Sequence, residues 1–235
     1  MILLTILFLL FSNSLVFAQD KIIIATHYSP PWSNGDCSGA EIDVIKEAFS
    51  YSGISIECKY YSYARLVRTF LDKKIVFATP ITKFDGDTKN VYYSDKFHRY
   101  VDVVIGLEKS QVSLKSVSDM RVVAYQGARN YLGAEYKNIA KNSSYLETSS
   151  RLSQIEMLLN DRVDYVVGEK NILHHLAKRF NDKTVYTMNT IKTWDIRSAS
   201  HDKSLMKKFN FGLSKMKKKG RVKEIFNKYK IIYTP

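Results

Sequence analysis

The stretch ITKFDGDTKNVYYSDKF, Ile81 to Phe97, sets Asp85 and Asp87 around Gly86 in a chain with 36 Lys and Arg against 23 Asp and Glu. An acidic turn of this kind is either a solvated loop or one wall of a ligand site, and its composition leaves both readings open. Other chemistries have less to work with. The five histidines, His27, His98, His174, His175 and His201, show no metal-ligand spacing, and Cys37 and Cys58 form no CxxC pair, so neither a metal nor a cofactor is expected. No Ser-His-Asp or Cys-His set stands out for nucleophilic catalysis. In an oxidising compartment the two cysteines can close a loop of about twenty residues, worth about 3 kcal/mol in the chain-entropy model; two separate thiols are the alternative.

The compartment is suggested by the first residues, MILLTILFLLFSNSLVFAQD. An apolar run from Ile2 to Phe11 is followed by a polar break and by Val16 and Ala18, the two positions a signal peptidase inspects, so residues 1–18 read as an export signal cleaved after Ala18. No basic residue precedes the run, and the run is too short to span a bilayer comfortably. No cysteine follows the cleavage point, so a lipid anchor is not expected, and the mature protein is expected to be soluble and periplasmic. The basic excess concentrates at the end, where residues 200–235 hold eleven Lys or Arg and two Asp or Glu. Such a tail could serve a nucleic acid. Leu205, Phe209, Leu213 and Met216 nevertheless fall at helical spacing, which predicts a buried face opposite solvated lysines such as Lys207, Lys208 and Lys217, and no nucleic-acid role.

The 235 residues suffice for one large domain or two small lobes, and 45% hydrophobic and 13% aromatic content argue against disorder. Strand and helix patterns alternate. Residues 21–26, 54–60 and 75–79 read as strands separated by helices over 39–52 and 63–71, an order that favours a parallel sheet. A strand over 100–107 leads into a second such unit: strands at 120–125 and 163–168, helices at 151–160 and 171–179, a helix opened by QGARNYLGAEY, and an extended segment at 185–191. Helices over 205–216 and 222–229 close the chain. In parallel sheets ligands bind beyond the carboxyl ends of the strands, and two facing sets of strand ends make a cleft.

Five stretches in this order, ATHYSPPWSNGDCSGAEIDVIKEAF, KNVYYSDKF, VVAYQGARNYL, NDRVDYVVGEKNIL and LMKKFNFGLSKMKKKGRVKEIFNKY, resemble the periplasmic solute-binding proteins of the amino-acid type, family 3. The resemblance covers essentially the whole mature chain. It implies an α/β, two-lobed type 2 periplasmic-binding-protein fold, each lobe a mostly parallel sheet flanked by helices, with the ligand cleft between lobes. Residues 19–107 and 192–235 would form the first lobe and residues 108–191 an inserted second.

The resemblance also implies site residues. The family's carboxylate-clamping arginine falls on Asp87, which reverses the charge expected there. Thr79 and Thr82 match its pair of hydroxyls, and Tyr28, Trp32 and Tyr63 its aromatic wall. QGARN resembles the family's Gly-Thr-Thr element: Gly127 would let the backbone approach an anion, and Arg129 would add a guanidinium at a helix N-terminus. Glu169 falls where the second-lobe acid takes the ligand's amino group, and Arg65, two residues after Tyr63 in YARLVRTFLDKK, matches an aromatic-x-Arg found in one branch. The implied function is non-catalytic capture of a small polar solute by lobe closure, and its presentation, by a monomer, to an ABC transporter permease or membrane receptor. A ligand sensor of the same fold, or a cyclohexadienyl-dehydratase-like enzyme using Glu169 as general acid, are the alternatives.

Overall fold

The computed structural model describes residues 20–82, 89–141, 144–180 and 183–233. The expected export signal and Asp87 lie outside the described residues. Among the described residues no helix is long and apolar enough to cross a membrane.

The isoleucine run of β1 (Asp20–Thr26) is held centrally, parallel to β2 (Ile54–Tyr60) on one side and β3 (Phe77–Ile81) on the other. Between them come α1 (Ala40–Ser50) and α2 (Tyr63–Leu71), the expected β-α-β-α-β order. Ile42, Ile45 and Phe49 form the buried face of α1, and the chain leaves that helix through Gly53 at a φ of 68°, which glycine adopts without steric cost. A disulfide joins Cys37, in the loop after β1, to Cys58 of β2 and ties that loop to the sheet.

The second half repeats the design. After β4 (Tyr92–Tyr93), β5 (His98–Gly106) and α3 (Leu114–Val117) come β6 (Val122–Tyr125), α4 (Ala128–Tyr131), α5 (Ala134–Ile139), β7 (Tyr145–Thr148), α6 (Arg151–Leu159), β8 (Tyr165–Glu169) and α7 (Lys170–Ala177). A long strand, β9 (Tyr186–Ser200), and two helices, α8 (Lys203–Lys218) and α9 (Arg221–Lys228), complete the chain. The strand order is β2-β1-β3-β9-β5-β8-β6-β7, with β4 also on β9. Two parallel trios, β2-β1-β3 and β8-β6-β7, therefore flank an antiparallel pair, β5 and β9. The chain enters the second half along β5 and returns along β9.

Some features differ from the sequence expectation. β9 continues well past residue 191, because Thr193, Trp194, Asp195 and Ile196 pair with β5 and Arg197 to Ser200 with β3. The QGARNYLGAEY segment makes two short helices, broken at Gly133, whose φ of 94° does not fit a helix. The mostly parallel sheet expected of each half is present in the two trios, while β9 and β5 run against their neighbours. The basic end behaves as read: α8 buries Leu205, Phe209, Leu213 and Met216 while Lys207, Lys208 and Lys217 stay exposed. Gly212 of α8 faces α1 so closely that a Cβ there would stand 1.9 Å from the Ala48 carbonyl oxygen.

Candidate functional site

The carboxyl ends of the parallel strands converge where such folds hold ligands. His27 follows β1, Pro80 lies in β3 with Thr82 just beyond it, Gln126 follows β6, Arg151 opens α6 just beyond β7, and Glu169 ends β8. With Tyr100 and Asp102 of β5 and Trp194 of β9 they line a cavity of about 120 Å³ between the two halves. A single water needs about 10–15 Å³ by the same measure, so the space suits a small solute. Tyr63 of the first half and Tyr131 of the second also line it, and their rings meet edge-on at 6.4 Å.

Buried charge is concentrated on the second-half side. Asp102 is 4% exposed, and its Oδ2 accepts from the Trp194 indole at 2.7 Å and the Tyr125 hydroxyl at 3.1 Å. Burial raises its carboxyl above the ordinary value, opposed by those two donors. Arg151 lies with its guanidinium 4.7 Å from the Tyr125 ring centre. Among the described residues it has no hydrogen bond and no ion pair. Burial pulls its pKa below the ordinary arginine value, against the attraction of Tyr125 and Asp102. Glu169, also 4% exposed, caps α7: Oε2 accepts from the Ile172 amide and the Trp32 indole, both at 2.9 Å, and Oε1 from Asn171 at 3.2 Å and the Val101 amide at 3.5 Å. Burial pushes this carboxyl up as well, and the donors pull it back.

Behind the wall sits a second polar group. Glu41, fully buried in the first turn of α1, accepts from Thr79 and, at 3.2 Å, from the Tyr100 hydroxyl; Ser198 in turn donates to Thr79. His98 Nε2 approaches Glu41 to 3.3 Å, off the line a hydrogen bond requires, and the ring stacks on Trp32 at 4.6 Å. On the cavity wall, His27 has no hydrogen bond to either ring nitrogen among the described residues, and its Nδ1 is shielded from solvent. Burial lowers its pKa to about 4, so the ring is neutral at neutral pH.

The residues expected from sequence are distributed unevenly. Tyr63, Thr82 and Glu169 line the cavity. Thr79 and Trp32 lie one layer behind it, on Glu41 and Glu169 respectively. Tyr28 is 57% exposed and outside the lining. Arg65 is exposed on the outer face of α2, its guanidinium 5.5 Å from the Tyr61 ring. The Gly127 and Arg129 amides both donate to Glu147, each at 2.8 Å, so an internal carboxylate occupies the anion-binding turn, while the Arg129 guanidinium lies 5.4 Å from the Tyr145 ring. Sequence reasoning passed over Arg151, Asp102, His27, Tyr125 and Trp194. Two of them carry a signal: Asp102 is the only charged residue from Tyr100 to Leu107, and Arg151 begins a helix directly after a strand end.

The sequence profile of the bacterial extracellular solute-binding proteins, family 3, matches residues 21–231. The chain is 22% identical over 218 residues, 87% of its own length and 81% of the relative's, to a probable amino-acid-binding protein, YxeM, of Bacillus subtilis (strain 168). Among solved structures, a histidine kinase sensor domain with similarity to periplasmic binding proteins is 13% identical with a TM-score of 0.79, the match covering 92% of this chain and 99% of that one. An ancestral arginine-binding protein bound to arginine is 20% identical with a TM-score of 0.75, over 89% of this chain and 97% of that one. These likenesses establish the two-lobed fold that the paired half-sheets describe.

Proposed function

The chain belongs to the bacterial extracellular solute-binding proteins of family 3, and on that premise we propose that it captures a small charged solute, an amino acid or close analogue, in the cavity between its halves and delivers it to an ABC transporter permease. The observation that carries the reading is the pairing, in one small cavity, of a half-buried cation, Arg151, and the buried carboxylates Asp102 and Glu169 with aromatic rings. Unpaired buried charge is costly, so a wall of this kind is stabilised by an occupant of matching polarity. Export through the N-terminal signal would place the protein where solute is collected.

The cavity works here without catalysis. The carboxyl that would serve a dehydratase, Glu169, accepts four hydrogen bonds as a helix cap, which favours a fixed acceptor over a group that must release a proton in turnover. The test is a thermal-shift screen of the purified protein with amino acids, polyamines, organic acids, small peptides and prephenate. A ligand at 100 times its Kd stabilises by about 2.7 kcal/mol, which is expected from at least one amino acid as a shift of several degrees. A flat response across the amino acids would refute the reading, and turnover of prephenate would replace it with the enzyme.

A further inference from the structure

Three places in this chain were expected to hold a ligand's anionic end, and each is engaged elsewhere. The Gly127–Arg129 turn is filled by Glu147, Arg129 faces Tyr145, and Arg65 lies on the outer surface of α2 against Tyr61. The acid expected to take the cationic end, Glu169, already accepts hydrogen bonds on both oxygens. Two other groups on the cavity wall have capacity to spare. Arg151 carries the five N–H donors of a guanidinium and none is engaged among the described residues. Asp102 takes both of its hydrogen bonds on Oδ2 and, among the described residues, none on Oδ1.

Tyr125 sets the relation between them. Its hydroxyl donates to Asp102 and its ring lies beside the Arg151 guanidinium, so one side chain holds a cation and an anion next to each other. The two attract, yet no ion pair within 4 Å joins them. A guanidinium held against a ring keeps its in-plane donors free, the geometry that grips a carboxylate with two parallel hydrogen bonds. Resting on the solute-binding reading above, we infer that Arg151 clamps the carboxylate of the occupant and Asp102 receives its ammonium group, so that the ligand is a zwitterion whose two charged ends lie side by side, as in an α-amino acid.

The test measures affinity by calorimetry for L-arginine, L-glutamine, L-glutamate and L-leucine, each against its α-carboxamide, in wild type and in Arg151→Gln. The amide keeps the ammonium and the side chain and lacks only the carboxylate charge. Wild type is expected to prefer at least one acid over its amide, and R151Q to weaken that acid on the order of 100-fold while the amide changes little. Arg151→Lys, which keeps the charge and loses the fork, is expected to fall between, and it serves as the readout should R151Q not fold. An acid-over-amide preference kept in R151Q overturns the inference alone and leaves solute binding standing. So does equal loss of acid and amide, the mark of a structural role. No binding of any amino acid by wild type removes the parent reading, and this one with it.

Discussion

Glu169 is held from both halves of the chain, and the strength of that hold can be measured. Trp32 comes from the loop after β1 and is 1% exposed, yet its indole N–H reaches a carboxylate 137 residues away at 2.9 Å. Replacing Trp32 by Phe removes the donor and leaves a buried carboxylate oxygen with the Ile172 amide alone. A lost hydrogen bond to a buried charged acceptor costs about 2 kcal/mol. The smaller ring, which otherwise keeps contacts with His98, Tyr100 and Phe226, leaves a void worth roughly 1 kcal/mol. Trp32→Phe should therefore destabilise by about 3 kcal/mol in urea unfolding, a fall in Tm of about 6–12 °C for a chain of this size. In a Glu169→Leu background no acceptor remains, so the same change should cost only the void. The double-mutant cycle should return a coupling of about 2 kcal/mol. A coupling below about 0.5 kcal/mol would refute the view that this hydrogen bond fixes the carboxylate.

Other consequences can be checked with equal directness. His27 must be protonated in the unfolded chain below its ordinary pKa of 6.5 but resists protonation in the fold until about 4. Stability should fall as pH drops through that window, by up to about 3 kcal/mol from this group, and His27→Phe should show a shallower decline between pH 7 and 4.5 in urea unfolding. Gly212→Ala drives a methyl group into the Ala48 carbonyl, so it should lower Tm through a loss of about 1–3 kcal/mol or more, whereas Gly35→Ala, which meets nothing within 4 Å, should stay within about 0.5 kcal/mol. Replacing Cys37 and Cys58 together by serine should cost about 3 kcal/mol in the same assay.

Much of the fold was legible because its elements bury one clear face each. The strand over 54–60 and the helix over 63–71 fall where apolar spacing puts them, and the helical stripe through Leu205, Phe209, Leu213 and Met216 separates a buried face from a lysine-covered one. The failures share a cause. The later part of β9, with Lys192, Thr193, Trp194 and Asp195, alternates polar and half-buried residues because it links the two halves instead of lying inside either core, so no apolar run marks it. β4, only two residues long, and α3, only four, are too short for any period to register.

The site was less legible, because a cleft is made of residues that share no periodicity. Its wall draws on positions from His27 to Ile196, brought together by strand order and not by spacing. Family position pointed to Glu169 and Tyr63, which line the cavity, and it read QGARN as a turn that gathers backbone donors around an anion. That anion is the chain's own Glu147, a fact written 18 residues further on and in no local pattern. Asp102 shows what physical reading can add to family position. An acid inside a strand as apolar as YVDVVIG is expensive to bury and survives only where donors and an opposite charge meet it. The indole of Trp194 and the hydroxyl of Tyr125 are those donors, and Arg151 is the nearby opposite charge. The costliest residue in the strand is thus the pointer to the cavity, through a partner set that only the mixed sheet brings into reach.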